Sequence, residues 1–303
     1  MRTQPFPGTT PYQRSLTLWE PKGSPKAVIL ISHGMAEHIA RYDALGQHLS
    51  GEGFLVAGYN HLGHGEEAPK LGFFAEEDGW GKVVTDLKTV MDHISSLAPG
   101  RKRILLGHSM GSFLAREYIL RYPQGADALI LSGSGWHPKP LCVLGKSLAR
   151  IPLALNKGEK PSKFLDSLAF SANNKPFKAP GVPKCAWLSR DEAQVKKYED
   201  DPYCGFVFTA SGFHDLFSGL NELTKMDRLQ IIPKDLPIYF MSGKDDPVGK
   251  KGAGVKALEG QYRSAGLKNV SVNLYDGARH ELFNEINRNE AVKDMTDWIK
   301  QHI

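Results

Sequence analysis

The sequence predicts an α/β fold, a mostly parallel central sheet flanked by helices and interrupted by a mainly helical insert. Three observations point to it. Residues 27–31 form an unbroken aliphatic run, which is how a strand buried on both faces reads. Short apolar runs then alternate with stretches of helical period towards both ends of the chain. Residues 134–235 break that alternation, and helical patterns dominate there.

The first strand of the pattern, Ala27–Ser32, leads through a loop to an amphipathic stretch at 42–49, and 54–59 is the next strand. Residues 81–97 place Val83, Val84, Leu87, Val90, Met91 and Ile94 at helical spacing. A strand at 103–106, a helix at 112–122 and a strand at Ala128–Ser132 follow. After the insert come a strand at 237–241, the helix Ala253–Ser264, the strand Val270–Tyr275 and a helix at 291–299. Strands separated by helices imply right-handed crossovers and parallel pairing. Within the insert, Leu141, Val143, Leu144 and Leu148 make one apolar stripe, and Phe213, Leu216, Phe217, Leu220 and Leu223 another. Each stripe is expected to face an acyl chain or to pack the insert on the core. Ser189-Arg190-Asp191-Glu192 reads as a capping box opening a helix that Asp201-Pro202 ends.

The 303 residues are 41% hydrophobic and 23% charged, an ordinary soluble globular composition that excludes disorder, collagen and coiled coil. Thirty-eight basic against 33 acidic residues leave +5, with no basic run of five, so a dedicated nucleic-acid binder is excluded. The insert holds +4 of that charge, most steeply over 139–184, and is a candidate for transient contact with an anionic membrane surface. No stretch approaches the ~20 apolar residues of a bilayer span. Residues 1–11 hold three prolines and no apolar core, so no secretory signal is expected. Cys142, Cys185 and Cys204 are odd in number and lack a C-x-x-C spacing, which fits a reducing cytoplasm without disulfides or structural zinc. His61 and His64 straddle a glycine turn and no H-E-x-x-H is present, so neither metal nor cofactor is expected.

Gly107-His108-Ser109-Met110-Gly111 is a G-x-S-x-G string, which would arise by chance about 0.2 times in a chain of this composition. Its context adds the specificity. It lies between a strand and a helix, where a sharp turn lifts a serine oxygen clear of the sheet and leaves no room for a Cβ at either glycine. A serine needs a base within hydrogen-bond reach and an acid to orient that base. The chain order expected of such an elbow is serine, acid, histidine.

Asp245 and Asp246 both follow the strand at 237–241; Asp246 is preferred, because G-x-x-D before a small or apolar residue is the common pattern at this loop. Of His137, His214 and His280, His280 is preferred, since it falls between the last strand and the last helix. His214 and His302 read as surface residues. The oxyanion needs two pre-aimed donors. The backbone N–H groups of Met110 and of Met35, in the loop after the third core strand, are the expected pair, with His33 and His38 fixing that loop.

His33-Gly34-Met35-Ala36-Glu37-His38-Ile39-Ala40-Arg41-Tyr42 resembles the HGxxEHxxRY loop of the monoacylglycerol lipase and lysophospholipase family of α/β-hydrolases. Asn60-His61-Leu62-Gly63-His64-Gly65 is similar to that family's DHxGHG, with Asn60 in place of the aspartate. Trp187-Leu188-Ser189-Arg190-Asp191 and Asp201-Pro202-Tyr203-Cys204-Gly205 resemble its bacterial lysophospholipase-like branch. The likeness implies an α/β-hydrolase core at 1–133 and 236–303, with a helical cap at 134–235 inserted after the sixth core strand. It implies a carboxylic-ester hydrolase acting on a lipidic acyl ester. It also implies that Glu37, Arg41 and His108 help to place the substrate's polar head, although Glu37 and Arg41, four apart, are equally able to brace the loop as a pair. A peptidase or amidase on the same three groups, and a non-catalytic ligand receptor on the same fold, are the alternatives.

Overall fold

A computed structural model describes residues 1–6, 8–10, 12–177, 179 and 181–303. Pro7 and Pro11 of the proline-bearing start, and Lys178 of the basic stretch, lie outside the described residues. The strands are β1 (Arg2–Phe6), β2 (Arg14–Trp19), β3 (Ala27–Ser32), β4 (Leu55–Tyr59), β5 (Lys102–His108), β6 (Ala128–Ser132), β7 (Ile238–Gly243) and β8 (Val270–Tyr275). They form one sheet in the order β1-β2-β4-β3-β5-β6-β7-β8. Every pairing from β4 to β8 is parallel, as the alternation of strands and helices predicts. β2 runs antiparallel to both β1 and β4, and neither β1 nor β2 follows from that alternation. They make an edge hairpin, where prolines are tolerated because one row of backbone donors needs no partner.

Side chains alternate across the sheet. Val28, Leu30, Leu105 and Leu129 face the layer of α2 (Gly79–Leu97), α3 (Met110–Arg121) and α8 (Ala253–Ser264). Ala27, Ile29, Ile104 and Ile130 face α1 (Asp43–Gly51) and α9 (Arg288–Gln301). β3, β6 and β7 are buried along their whole length, which accounts for their unbroken apolar sequences. Register brings Ser32 beside Gly107, and His108 beside Ser132. The carboxyl ends of the central strands therefore open on one common rim, where ligands bind in open α/β sheets.

Between β6 and β7 lie α4 (Lys139–Ala154), α5 (Lys163–Phe170), α6 (Glu192–Asp200) and α7 (Ala210–Glu222). The α7 stripe packs: Phe213, Leu216, Phe217 and Leu220 are buried in the main core and Leu223 lies against it. The α4 stripe is split: Leu148 packs against the core, but the rest of it is turned the other way. Leu141, Val143 and Leu144 are exposed, while the small residues Cys142, Gly145 and Ala149 are buried, letting α4 lie close on Phe217. The phenylalanines of α7 fill the space between the two helices and push the leucines of α4 outward. The cap of α6 also differs from the expected box. Asp191 is its N-cap and accepts from Ala193 and Gln194 N–H, whereas Ser189 donates to the Asn284 carbonyl. His214 and His302 are half-buried rather than on open surface, and His302 stacks on Trp298.

Cys142, Cys185 and Cys204 are unpaired. Among the described residues, no helix is long and apolar enough to cross a membrane.

The edge hairpin is tied to the core by Arg14 of β2, whose guanidinium is 2.5 Å from Asp86 of α2. Both side chains are essentially inaccessible, at 1% and 0%. Removing one partner of such a pair strands a buried charge and costs about 3–5 kcal/mol. Urea unfolding of Arg14→Met is expected to show a loss in that range, and a loss below 1 kcal/mol contradicts the assignment.

Candidate active site

Ser109 sits between β5 and α3 with φ 51° and ψ −120°, a conformation that L-residues rarely adopt. Backbone packing forces it. A Cβ on Gly107 would fall 2.4 Å from the Gly111 carbonyl oxygen, and one on Gly111 would fall 2.0 Å from that of Ser32. The turn is further held by Ser109 N–H donating to the Ser132 carbonyl at 2.9 Å, and by the Ser112 hydroxyl donating to the Ser109 carbonyl at 2.6 Å.

His280 arrives on the segment after β8, and Asp246 on the loop after β7. The His280 Nδ1 and Asp246 Oδ1 are 3.0 Å apart, both residues buried. The Val248 N–H and the Ser242 hydroxyl donate to the same carboxylate, at 2.8 and 3.4 Å. Asp245 makes no such contact; its N–H donates to the Ala278 carbonyl. Burial pulls the His280 imidazole down, but the charge and hydrogen bond of Asp246 outweigh it and hold His280 above its ordinary value. Its Nε2 is buried and has no hydrogen-bond partner among the described residues. A Cβ on Gly133, whose φ is 59°, would fall 2.9 Å from the His280 Cε1. A larger residue there would displace the ring.

The loop after β3 passes close to the serine, since a Cβ on Gly34 would lie 3.1 Å from the Ser109 Cβ. Gly34 N–H donates to Glu37 Oε1 at 2.5 Å, and Ala36 N–H donates to His64 Nε2 at 3.2 Å. Between these two anchored amides, the Met35 N–H has no partner among the described residues. The Met110 N–H opens α3, where the first amides of a helix lack intrahelical acceptors. His33 fixes the loop as expected: its ring contacts the Gly34 carbonyl at 2.8 Å and accepts from His61 N–H at 3.0 Å. His38 contacts Asp201 at 2.8 Å, joining this loop to the 134–235 segment.

A cavity of about 380 Å³ opens over Ser109 and His280. Glu37 and His108 line it together with Met35 from the core and Phe170, Trp187 and Phe206 from the helical segment. Arg41 stands behind that wall. It is held by Glu37 Oε2 at 2.5 Å and by Glu281 through two parallel bonds of 2.7 Å. The brace is thus present, and Glu281 is a participant that the sequence reading does not single out. The clue to it in the sequence is a charged residue directly after His280. Trp187, whose ring centroid is 4.9 Å from that of His280, appears in the sequence only as part of a motif.

His33, His61 and His64 form the floor beneath the loop, and burial pushes each of them far down, His33 and His64 to about 3. Unfolding returns them to about 6.5. The unfolded chain therefore binds more protons than the folded one between pH 6.5 and 3, and stability falls as pH falls through that window. Urea titrations at pH 7.5 and pH 5 are expected to show a smaller stability loss for His64→Gln than for the wild type. Equal losses contradict the assignment.

The model of the Hydrolase_4 family, described as serine aminopeptidase, S33, matches residues 23–287. The monoacylglycerol lipase of Mycolicibacterium smegmatis is 27% identical over 290 residues, covering 94% of this chain and 92% of the relative. The monoglyceride lipase of Homo sapiens is 28% identical over 296 residues, covering 93% and 85%. A solved carboxyl esterase from Bacillus coagulans, in complex with glycerol, superposes with TM-score 0.91 at 24% identity over 100% of this chain and 99% of its own. That likeness establishes the α/β-hydrolase architecture, and the family match covers the elbow, the acid loop and the His280 segment alike. The chain belongs to the Hydrolase_4 family of serine hydrolases.

Proposed function

We propose that this protein is a carboxylic-ester hydrolase in which Ser109 attacks the acyl carbon, His280 carries the proton and Asp246 orients and stabilises the imidazole. The observation that carries this reading is a buried histidine held through one nitrogen by Asp246. Its other nitrogen has no partner among the described residues and lies with the strained Ser109 at one cavity. In the first step the Ser109 hydroxyl adds to the carbonyl while its proton passes to His280 Nε2. The N–H groups of Met35 and Met110 stabilise the tetrahedral oxyanion, each contributing about 3 kcal/mol. Collapse returns the proton to the departing alcohol and leaves an acyl-enzyme. Water, deprotonated by the same imidazole, then releases the acid.

Residues 134–235 act as the cap of the cavity, and 1–133 with 236–303 as the core. The substrate is a lipidic monoacyl ester of monoacylglycerol or lysophospholipid type. Phe170, Trp187, Leu188 and Phe206 give the cavity apolar walls suited to one acyl chain. Glu37 and His108 stand at the wall where a polar head would lie, with Arg41 behind them. The relatives named as monoacylglycerol and monoglyceride lipases support the ester reading over the peptidase that the family description also admits. A cytoplasmic site of action is part of this reading, supported by three unpaired cysteines.

The outward face of α4 supports delivery at a lipid surface. Leu141, Leu144 and Ile151 of α4, and Leu155 just past its end, lie three, seven and four residues apart and are exposed. Phe164 and Leu168 of α5 are exposed as well. The basic residues Lys139, Arg150, Lys157 and Lys163 are exposed around them, suiting an anionic headgroup region.

Kinetics and vesicle binding test this reading. A panel of p-nitrophenyl esters of graded chain length, with an aminoacyl arylamide as control, is expected to show a chain-length optimum and little amide turnover. Ser109→Ala is expected to lower kcat by about a millionfold. In the wild type, kcat/KM is expected to fall as pH drops through a value above 6.5, because the base must be neutral to act. Near-normal turnover by Ser109→Ala removes it as nucleophile. Separately, sedimentation with phosphatidylglycerol vesicles is expected to exceed that with phosphatidylcholine, and Leu144→Asp with Ile151→Asp is expected to abolish it. Binding that ignores both the anionic lipid and this pair contradicts the docking face.

A further inference from the structure

The buried ion cluster behind the cavity wall is not used by the reaction as written above. Arg41, on the 3-10 turn after β3, is bonded at once to Glu37 of its own loop and, by a two-bond fork, to Glu281 of the segment that carries His280. Glu37 is further held by Gly34 N–H and by the Tyr42 hydroxyl at 2.8 Å, and Glu281 by the Asn284 amide at 2.9 Å. Glu281 is 5% exposed and Glu37 is 3% exposed. The Arg41–Glu281 fork thus joins residues 240 apart in sequence and ties together two segments that must keep a fixed distance: the loop presenting the Met35 N–H and the turn presenting the base.

Its charge does not balance. Two carboxylates face one guanidinium, and Arg41 holds both below the ordinary carboxylate range against the opposing pull of burial. The other groups against the cluster add no cation. Tyr42 and Tyr198 are buried with their hydroxyls pushed up, and burial pushes the Cys185 thiol up to about 11 and the Cys204 thiol higher still. His108, 4.8 Å from His280 between ring centroids, is pushed down to about 4 by burial and then by His280 itself, so it is neutral at pH 7. Arg279, beside the base in sequence, turns away to the carbonyls of Ala186 and Ser189. One net negative charge is therefore buried beside His280, in addition to that of Asp246.

We propose that Glu281 is a positioning residue: through Arg41 it locks the oxyanion loop to the His280 segment, and the surplus negative charge of the Glu37, Arg41 and Glu281 cluster stabilises the imidazolium that forms in the transition state. This rests on the ester-hydrolase reading and deepens it. Both terminal nitrogens of Arg41 are occupied, so Arg41 and Glu281 act on the chemistry through His280 and the loop rather than by holding a substrate head.

The test is the pH dependence of kcat and KM for a short p-nitrophenyl ester in the wild type, Glu281→Gln and Glu281→Asp, with fluorophosphonate labelling of Ser109 measured in parallel. Glu281→Gln keeps the shape and removes the charge. Its acidic limb is expected to move down by between about half and one and a half pH units. Its kcat is expected to fall tenfold to a hundredfold with KM within about twofold of the wild type. Glu281→Asp keeps the charge but shortens the reach, and is expected to restore the limb while kcat stays reduced. If Glu281→Gln does not fold, Glu37→Gln removes the same surplus charge and is expected to move the limb in the same direction. An unmoved limb with unchanged kcat, or a change confined to KM, overturns the inference alone when the wild type is labelled and active. A wild type that neither reacts with fluorophosphonate nor turns over ester overturns the ester-hydrolase reading, and this inference with it.

Discussion

The site depends first on a contact between backbones. Gly111 lies so close to the Ser32 carbonyl that even a methyl group is excluded, and this approach keeps Ser109 at φ 51°. A residue held in a sparsely populated conformation costs on the order of 1–3 kcal/mol and persists only where its surroundings over-determine it. Here they do: β5 is paired on both sides, α3 is buried along nearly its whole length, and Ser109 N–H is bonded to the neighbouring strand. The same approach sets the loop after β3 beside the serine, its Met35 amide without a partner among the described residues.

The site depends next on electrostatics. Asp246 and the surplus charge of the Glu37, Arg41 and Glu281 cluster both favour a protonated His280, while burial disfavours it. These opposing effects leave His280 above its ordinary value, so that an imidazolium there is stabilised by the charge around it. Buried histidines of the loop floor behave differently, because no carboxylate partners their rings; burial keeps them neutral and they serve as hydrogen-bond struts. The nearest charge thus separates His280, held up, from the floor histidines, held down, although the side chains are identical.

Much of this was legible in the sequence for identifiable reasons. Strands buried on both faces write themselves as unbroken apolar runs, so β3, β6 and β7 stood out, and chain order then ranked Asp246 and His280 behind Ser109. β1 and β2 were not legible, because an antiparallel edge hairpin leaves no trace in a pattern of strands alternating with helices. The orientation of α4 was not legible either: a stripe of leucines predicts an apolar face but not what covers it, and the phenylalanines of α7 had already taken the interior. The fork between Arg41 and Glu281 joins residues 240 apart, and only folding brings them together. Position four after Glu37 made Arg41 look like a local pair, which is half of its role.

Activation of Ser109 by His280 and Asp246 within one preorganised site is the proposal from which the other roles follow. It is tested most directly by peptide mapping after reaction with a fluorophosphonate in the wild type, His280→Ala and Asp246→Asn. The account predicts one phosphonyl group per chain, on Ser109, formed at a rate that collapses in both variants although each remains folded. Modification at another residue, or an unchanged rate in His280→Ala, would contradict it.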